Sequence, residues 1–302
     1  MRSTPPHPQD EAIIDAFVHH VTHVHGRSQD TAVRHRCNLR RFLHWCRHHD
    51  LDGTRLSEVE VTAFLAAEAA RGLQPTSVAS VQGTLRCFFA YLRPDGPNPA
   101  RATPLPRSGT STPVPYRPDE AERILEQLRA VRDLGYRFDL AVVATFAGTG
   151  VRRRELVRLR TGDLDLDAGV VTVLDGPTGD RTVPLPPVTS EVLHDYLTRI
   201  RPFCARSDRL FANPRASSDS RLDGRLEAGV ASSIVRRAGR RSGVDGPHTC
   251  LRWRATATVA MLRAGVELTE VQRRLGHVDP AATAVYLRAV DTADVVDREI
   301  AR

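Results

Sequence analysis

Apolar positions recur every three to four residues through the first part of the chain, and this spacing predicts four helices between residues 9 and 93. In the second, Val33, Cys37, Phe42, Leu43 and Cys46 fall at near-helical spacing behind an N-cap at Ser28, with arginines and histidines on the other faces. Pro75-Thr76 opens another helix with Val78, Val81, Leu85, Phe88, Phe89 and Leu92 on its apolar side. The run Phe88-Phe89-x-Tyr91-Leu92 reads as core rather than as a platform for stacking bases.

The rhythm breaks between Arg93 and Pro118, where eight prolines, Gly96, Gly109 and several Ser and Thr residues exclude a helix or a central strand. A linker is therefore expected at residues 96–116, between a helical domain at 1–95 and a second domain at 117–302. Pro118-Asp119-Glu120 then starts a helix whose carboxylates suit the positive end of the dipole, and helices follow near 137–147 and 152–160. From Asp163 to Leu185 the period drops to two. Val170, Val171 and Val173 form one strand, Thr182, Val183 and Leu185 a second, and Gly176-Pro177-Thr178-Gly179 turns between them as a hairpin. Helical spacing resumes near 188–200, 224–241, 252–264 and 267–275, with short helices near 279–287 and 291–300. The predicted fold is mainly α with a small antiparallel β-sheet (α+β).

Charge narrows the partner. The 302 residues carry a formal charge of +7 and a pI near 9.7, and no apolar run reaches ~18 residues, which fits a soluble, cytoplasmic partner of a polyanion and not a membrane protein. The opening residues lack the apolar region of a signal peptide. All 43 basic residues are arginine; there is no lysine. Cys37, Cys46, Cys87, Cys204 and Cys250 are odd in number, scattered and free of C-x-x-C pairs, so they read as reduced thiols. Nine of the twelve histidines lie in the first 49 residues. His19 and His23 are one helical turn apart, but no Cys or carboxylate completes a metal site at ligand spacing, so a solvated face is expected and no cofactor or metal.

Candidate chemistry concentrates in four blocks of the second domain. Leu275-Gly276-His277 is followed by Thr283 and Tyr286, an LGHxxxxxTxxxY pattern ending in a tyrosine. Thr149-Gly150-Val151-Arg152-Arg153-Arg154-Glu155-Leu156 places a glycine ahead of an arginine at a helix start, where a guanidinium fork meets anions well. Pro247-His248-Thr249-Cys250-Leu251-Arg252-Trp253-Arg254-Ala255-Thr256 holds two further arginines, and Asp175 to Leu185 forms the hairpin.

Together these blocks resemble the tyrosine recombinases (phage-integrase family). The first matches their C-terminal catalytic box, the second their TG-[LV]-R-x-x-E-L box, and the N-terminal part their core-binding domain in length and pattern. The resemblance implies a helical core-binding clamp, a catalytic domain and a site-specific recombinase or integrase acting on double-stranded DNA sites. It implies a homotetramer on DNA, with accessory DNA-bending proteins as further partners. By position, Tyr286 becomes the nucleophile, Arg152 the first phosphate clamp, and His277 a group that bonds the phosphate or handles a proton. The third block departs from the family's H-x-L-R-H-T. An ungapped count back from Ala264-Gly265-Val266 places the second clamp on Arg254 and Leu251 in the histidine's place. Matching on Leu251-Arg252 makes Arg252 the clamp with His248 before it, but inserts two residues in a helix, a rotation of about 200°. The ungapped register is favoured; His248 is then a catalytic or a local polar residue.

In the fourth block the family's hairpin lysine, which the resemblance casts as proton donor to the departing 5′-oxygen, has been replaced. Arginine is a poor proton donor at neutral pH, though Arg181 can supply charge. Arg34, Arg41, Arg153 and Arg181 are the candidate DNA-binding residues, although for Arg153 plain solvation is the first reading and phosphate contact the second. Two other functions compete: a DNA-binding accessory protein that has lost cleavage, and a type IB topoisomerase-like relaxer.

Overall fold

The structure is a computed structural model that describes residues 7–25, 29–102, 114–204, 207–214 and 224–290. The expected Ser28 cap and the expected helix near 291–300 lie outside the described residues. The chain divides into two compact units, Met1–Ser111 and Thr112–Arg302.

The first unit is helical: α1 (Pro8–His23), α2 (Gln29–His48), α3 (Glu58–Ala70), α4 (Pro75–Leu92) and a single turn, α5 (Pro99–Ala102). Pro8 pre-sets the first turn of α1, and Asp10 and Glu11 face its positive end. Ser57 and Glu60 close a capping box on α3. Ile14, Phe17, Leu39, Phe42, Phe64, Phe88 and Phe89 are fully buried, each contributing about 1.5–3 kcal/mol by leaving water. The apolar stripe of α2 differs from the expected one. It runs through Ala32, Leu39, Phe42, Leu43 and Cys46, while Val33 is 53% exposed and Cys37 faces outward, one residue off the buried line. The proline-bearing segment also holds more structure than expected. Pro99 is tolerated in the first turn of α5, and the carbonyl of buried Ala100 accepts from Gln82 Nε2 and Arg86 Nε, both at 3.0 Å.

The second unit runs α6 (Pro118–Ala130), α7 (Leu134–Thr149), α8 (Arg153–Arg158), β1 (Leu164–Asp165), β2 (Val170–Val173), β3 (Arg181–Pro184), α9 (Pro187–Arg199), α10 (Ala228–Arg241), α11 (Cys250–Arg263), α12 (Leu268–Leu275) and α13 (Ala281–Ala284). The three strands form an antiparallel sheet in the order β1-β2-β3, with Val171 opposite Val183 and Val173 opposite Arg181. β1 escaped the sequence reading because it contributes only the pairs Leu164–Val171 and Asp165–Val170. α10 starts at Ala228, not 224, and α13 is a single turn where 279–287 was expected. α7 packs against α6, α9, α10 and α11, so its apolar residues cover most of its circumference. Among the described residues no helix is long and apolar enough to cross a membrane.

Candidate active site

The site grows around the C-terminal end of α12. The last carbonyls of a helix have no partner within it and carry its negative partial charge. Three guanidinium groups from distant segments meet these oxygens. Arg181 Nε donates to the Arg274 carbonyl at 2.8 Å, Arg254 Nη2 to that of Leu275 at 2.8 Å, and Arg152 Nη2 to that of Gly276 at 2.6 Å. Gly276 ends the helix at φ +63°, and a Cβ there would lie 3.1 Å from Arg181 Cζ and 3.3 Å from Arg152 Nη1. Both the left-handed turn and the close approach call for glycine.

Glu155 fixes two of these arginines. Its carboxylate accepts from the Arg152 backbone N–H at 2.7 Å and from Arg152 Nη1 at 2.8 Å, closing the first turn of α8. It also accepts both ends of the Arg181 fork, at 3.1 and 2.7 Å. Burial pushes the Glu155 carboxyl up, but the hydrogen bonds from Arg181 and Arg152 outweigh it and hold the group below its usual value.

Arg254, on α11, sends Nη1 to the Gly150 carbonyl at 2.6 Å, and its Nη2 lies 2.8 Å from His277 Nε2. Burial, and next Arg152, draw its pKa down to about 10, which leaves it charged at neutral pH. A guanidinium only donates, so His277 Nε2 accepts, and Nδ1 carries the hydrogen that reaches Thr283 Oγ1 at 2.8 Å. His277, expected to bond the phosphate or handle a proton, thus has both ring nitrogens engaged within the protein. Burial and the flanking Arg254, Arg152 and Arg181 pull the His277 pKa down to about 4, so the ring is neutral at working pH. Tyr286 is 4% exposed, packed with Ala255 and Val259. Its ring lies within 6° of parallel to that of His277, centroids 6.5 Å apart. Burial raises its phenol, with Arg254 partly opposing.

Beside these groups opens a cavity of about 450 Å³ lined by Arg152, Arg153, Arg236, His248 and Arg254, among others. The structure therefore brings Arg152, Arg254, His277 and Tyr286 together, with His248 and Arg153 at the cavity wall. Arg153 Nη1 donates to Ser232 Oγ at 2.9 Å. Arg236 went unnoticed in the sequence, since one arginine on the basic α10 carries no distinguishing pattern.

Arg252 is placed elsewhere. Its guanidinium covers the Tyr116 ring at 3.9 Å, donates to the Asp245 carbonyl at 2.9 Å and pairs with Glu120 at 3.1 Å. Two residues along a helix separate it from Arg254 by about 200°, so the two side chains leave opposite faces of α11. Arg181, expected to bind DNA and supply charge, has its side chain 3% exposed and its fork engaged by Glu155. In the first unit Arg34 is exposed and lines a depression of about 410 Å³ with His35, Ser80, Gly83 and Cys87. Arg41 pairs with the buried Glu68 at 3.1 Å. His19 and His23 stack, with ring centroids 4.1 Å apart. Among the described residues no group of three or more His, Cys, Asp or Glu side chains gathers at metal-ligand geometry.

Comparison with known proteins agrees with this architecture. Residues 116–292 match the phage integrase family, and residues 14–96 match the N-terminal SAM-like domain of phage integrases. The chain is 28% identical over 283 residues to the tyrosine recombinase XerD of Listeria innocua, covering 91% of this chain and 93% of that one. It is 28% identical over 286 residues to the tyrosine recombinase XerC of a Mycobacterium species, covering 91% and 93%. Its fold is similar to that of XerH site-specific recombinase bound to difH substrate, with TM-score 0.69 and 16% identity over 92% of this chain and 81% of that one. It is similar also to a lambda integrase dimer bound to a COC′ core site, with TM-score 0.68 and 17% identity over 91% and 76%. The chain belongs to the phage integrase family of tyrosine-type site-specific recombinases.

Proposed function

We propose that the chain cleaves and rejoins double-stranded DNA at specific sites through a 3′-phosphotyrosine intermediate. The Tyr286 hydroxyl gives up its proton as its oxygen attacks the scissile phosphorus, and the bond from phosphorus to the 5′-oxygen breaks. That oxygen takes up a proton to leave as a free 5′-hydroxyl, so the net step moves one proton from the phenol to the leaving group. Attack by the 5′-hydroxyl of another strand on the phosphotyrosine reverses the step and exchanges strands without ATP. Arg152 and Arg254 neutralise the nonbridging oxygens as charge develops. His277, held between Arg254 and Thr283, keeps Arg254 aimed, and His248 faces the same anion from the cavity wall.

The observation that carries this reading is the convergence of Arg152, Arg254 and His277 on one helix end, with the Tyr286 ring parallel to that of His277. Nothing in a stable fold requires two guanidinium groups to be drawn together beside a basic cavity. An anionic phosphodiester gives the arrangement a purpose. DNA as partner is supported by the relatives and by the fold neighbours solved on their DNA sites. A homotetramer on two sites, with accessory DNA-bending proteins, is the assembly proposed for this chain.

The test uses a duplex nicked next to the scissile bond, which traps the covalent adduct. Wild-type protein forms an adduct and Tyr286→Phe forms none; an adduct that persists in the variant refutes the assignment. A second reading, a DNA-bound accessory protein without cleavage, is favoured by one observation. The chain has no lysine, and Gly176 and Gly179 stand where the hairpin would carry it. Wild-type protein that binds the site yet forms no adduct selects this reading.

A further inference from the structure

His248 is the second histidine at the site, and its surroundings are built around its ring. A Cβ on Gly239 would lie 2.1 Å from His248 Nδ1 and 2.2 Å from Cγ, so α10 admits the imidazole only because it carries glycine there. The Tyr116 hydroxyl lies 3.0 Å from Nδ1, and the two rings are within 13° of parallel. Tyr116 is itself fixed from three sides. Its ring rests on buried Trp253, the Arg252 guanidinium covers it at 3.9 Å, and its backbone N–H donates to Thr256 Oγ1 at 2.8 Å. Glu120 and the Asp245 carbonyl hold Arg252 in turn. This assembly explains why Arg252 is spent away from the cavity. Leu251, in the ungapped register of the third block, is apolar and 55% exposed, so it cannot donate to an anion.

We infer that Tyr116 is a positioning residue: its hydroxyl donates to His248 Nδ1 and keeps the ring's hydrogen on Nε2, giving the arginine-lined cavity an N–H donor for an oxygen of the bound phosphodiester. The inference rests on the proposed cleavage function for its catalytic consequence, but not for the tautomer itself. Burial pushes the Tyr116 phenol up to about 12, so it keeps its proton at any working pH. Burial, and next Arg252, lower the His248 pKa, and a hydrogen bond from the ring to the Val244 carbonyl opposes them in part, so the N–H is shared between that carbonyl and the cavity. The ring is thus neutral, and a neutral imidazole that accepts at one nitrogen must donate at the other. Tyr116 and Arg254 therefore set opposite tautomers in the two histidines of the site.

The experiment has two arms on the full chain. Long-range proton–nitrogen spectra of histidine-labelled protein, with His248 assigned through His248→Gln, show which ring nitrogen is protonated without DNA present. Wild-type His248 carries the hydrogen on Nε2, and Tyr116→Phe, which keeps the stacked ring, gives a tautomer mixture. A hydrogen on Nδ1 in wild type, or an unchanged spectrum in the variant, overturns the proposal. In the second arm, Tyr116→Phe slows adduct formation on the nicked duplex at saturating DNA by about five- to tenfold, the effect of one lost orienting hydrogen bond, with Kd for DNA within about twofold. In a His248→Gln background the same change has no further effect. Equal slowing in both backgrounds assigns Tyr116 to packing alone and overturns the proposal. Absence of any wild-type adduct instead refutes the cleavage reading, and the spectra still decide the tautomer.

Discussion

Arg254 Nη2 lies 2.8 Å from His277 Nε2, and this single contact orients both partners. Because a guanidinium has no acceptor, the contact fixes the neutral tautomer of His277 and sends its other N–H to Thr283. The histidine in return holds an arginine that burial and Arg152 draw down to about 10. A positive charge arriving on the His277 ring would face three arginines with no room to move apart.

Stability should therefore depend on pH through His277. The folded ring titrates near 4 against an ordinary 6.5, so between these values the unfolded chain takes up a proton that the folded chain refuses. The contribution is fully present above about 6.5 and is lost as pH falls toward 4. His277→Gln, which cannot titrate, lacks this loss. Thermal melts from pH 8 to 4 should show the melting temperature of wild type falling faster than that of the variant across that window; parallel curves contradict the assignment.

Arg252 and Arg254 separate in what they support. On the proposed mechanism Arg254→Ala removes charge stabilisation at the phosphate and should lower adduct formation by about 10²–10³-fold. Arg252→Ala exposes the Tyr116 ring and removes one of the two guanidinium partners of Glu120, which keeps Arg117, costing about 1–2 kcal/mol of stability. Chemical denaturation beside single-turnover cleavage distinguishes the two. A stable Arg252→Ala protein with abolished cleavage would reverse the roles.

The groups legible in the sequence were those set by local spacing. Arg152 follows a glycine at a helix start, and His277, Thr283 and Tyr286 lie within ten residues, so short motifs suffice to place them. The ungapped register also placed Arg254 where the fold needs it, because rotation along a helix is strict. What stayed hidden depends for the most part on how the chain packs. Tyr116 fell inside the expected linker, yet it is buried against His248, 132 residues away. Arg181 is expected from the sequence to meet DNA, yet its partner Glu155 lies 26 residues away and is met only in the folded chain. The two-residue β1 is too short to show a period, and the outward turn of Val33 reflects a one-residue error in reading the stripe of α2.

Glu155 is the counter-charge for Arg181 and Arg152, and its loss should be felt in the fold first. With Arg181 3% exposed, Glu155→Gln leaves a buried cation without an opposing charge, and the variant should lose about 3 kcal/mol in urea unfolding at neutral pH. The folded carboxyl titrates below 4.5, so its contribution is present above that value and disappears as pH falls through the folded pKa. The deficit of the variant should accordingly shrink in acid. A loss below about 0.5 kcal/mol, as for an exposed pair, would show that the carboxylate is not needed where it sits.

The leaving 5′-oxygen poses the sharpest test of turnover. An alkoxide leaves poorly unless a proton reaches it, and a chain of 43 arginines with no lysine has no basic side chain of suitable pKa in its hairpin. The inferred donor on His248 is a neutral N–H, which stabilises a developing charge but is too weak an acid to neutralise it. A substrate with sulfur in place of the bridging 5′-oxygen removes the requirement, since a thiolate departs unprotonated. Cleavage by wild-type protein should then rise by at least about tenfold over ordinary DNA, within the range by which general acids act. The same substrate should also flatten the dependence of rate on pH. Equal rates on the two substrates would mean that a proton already arrives, and a search for its donor would begin with the cavity between Arg152 and His248.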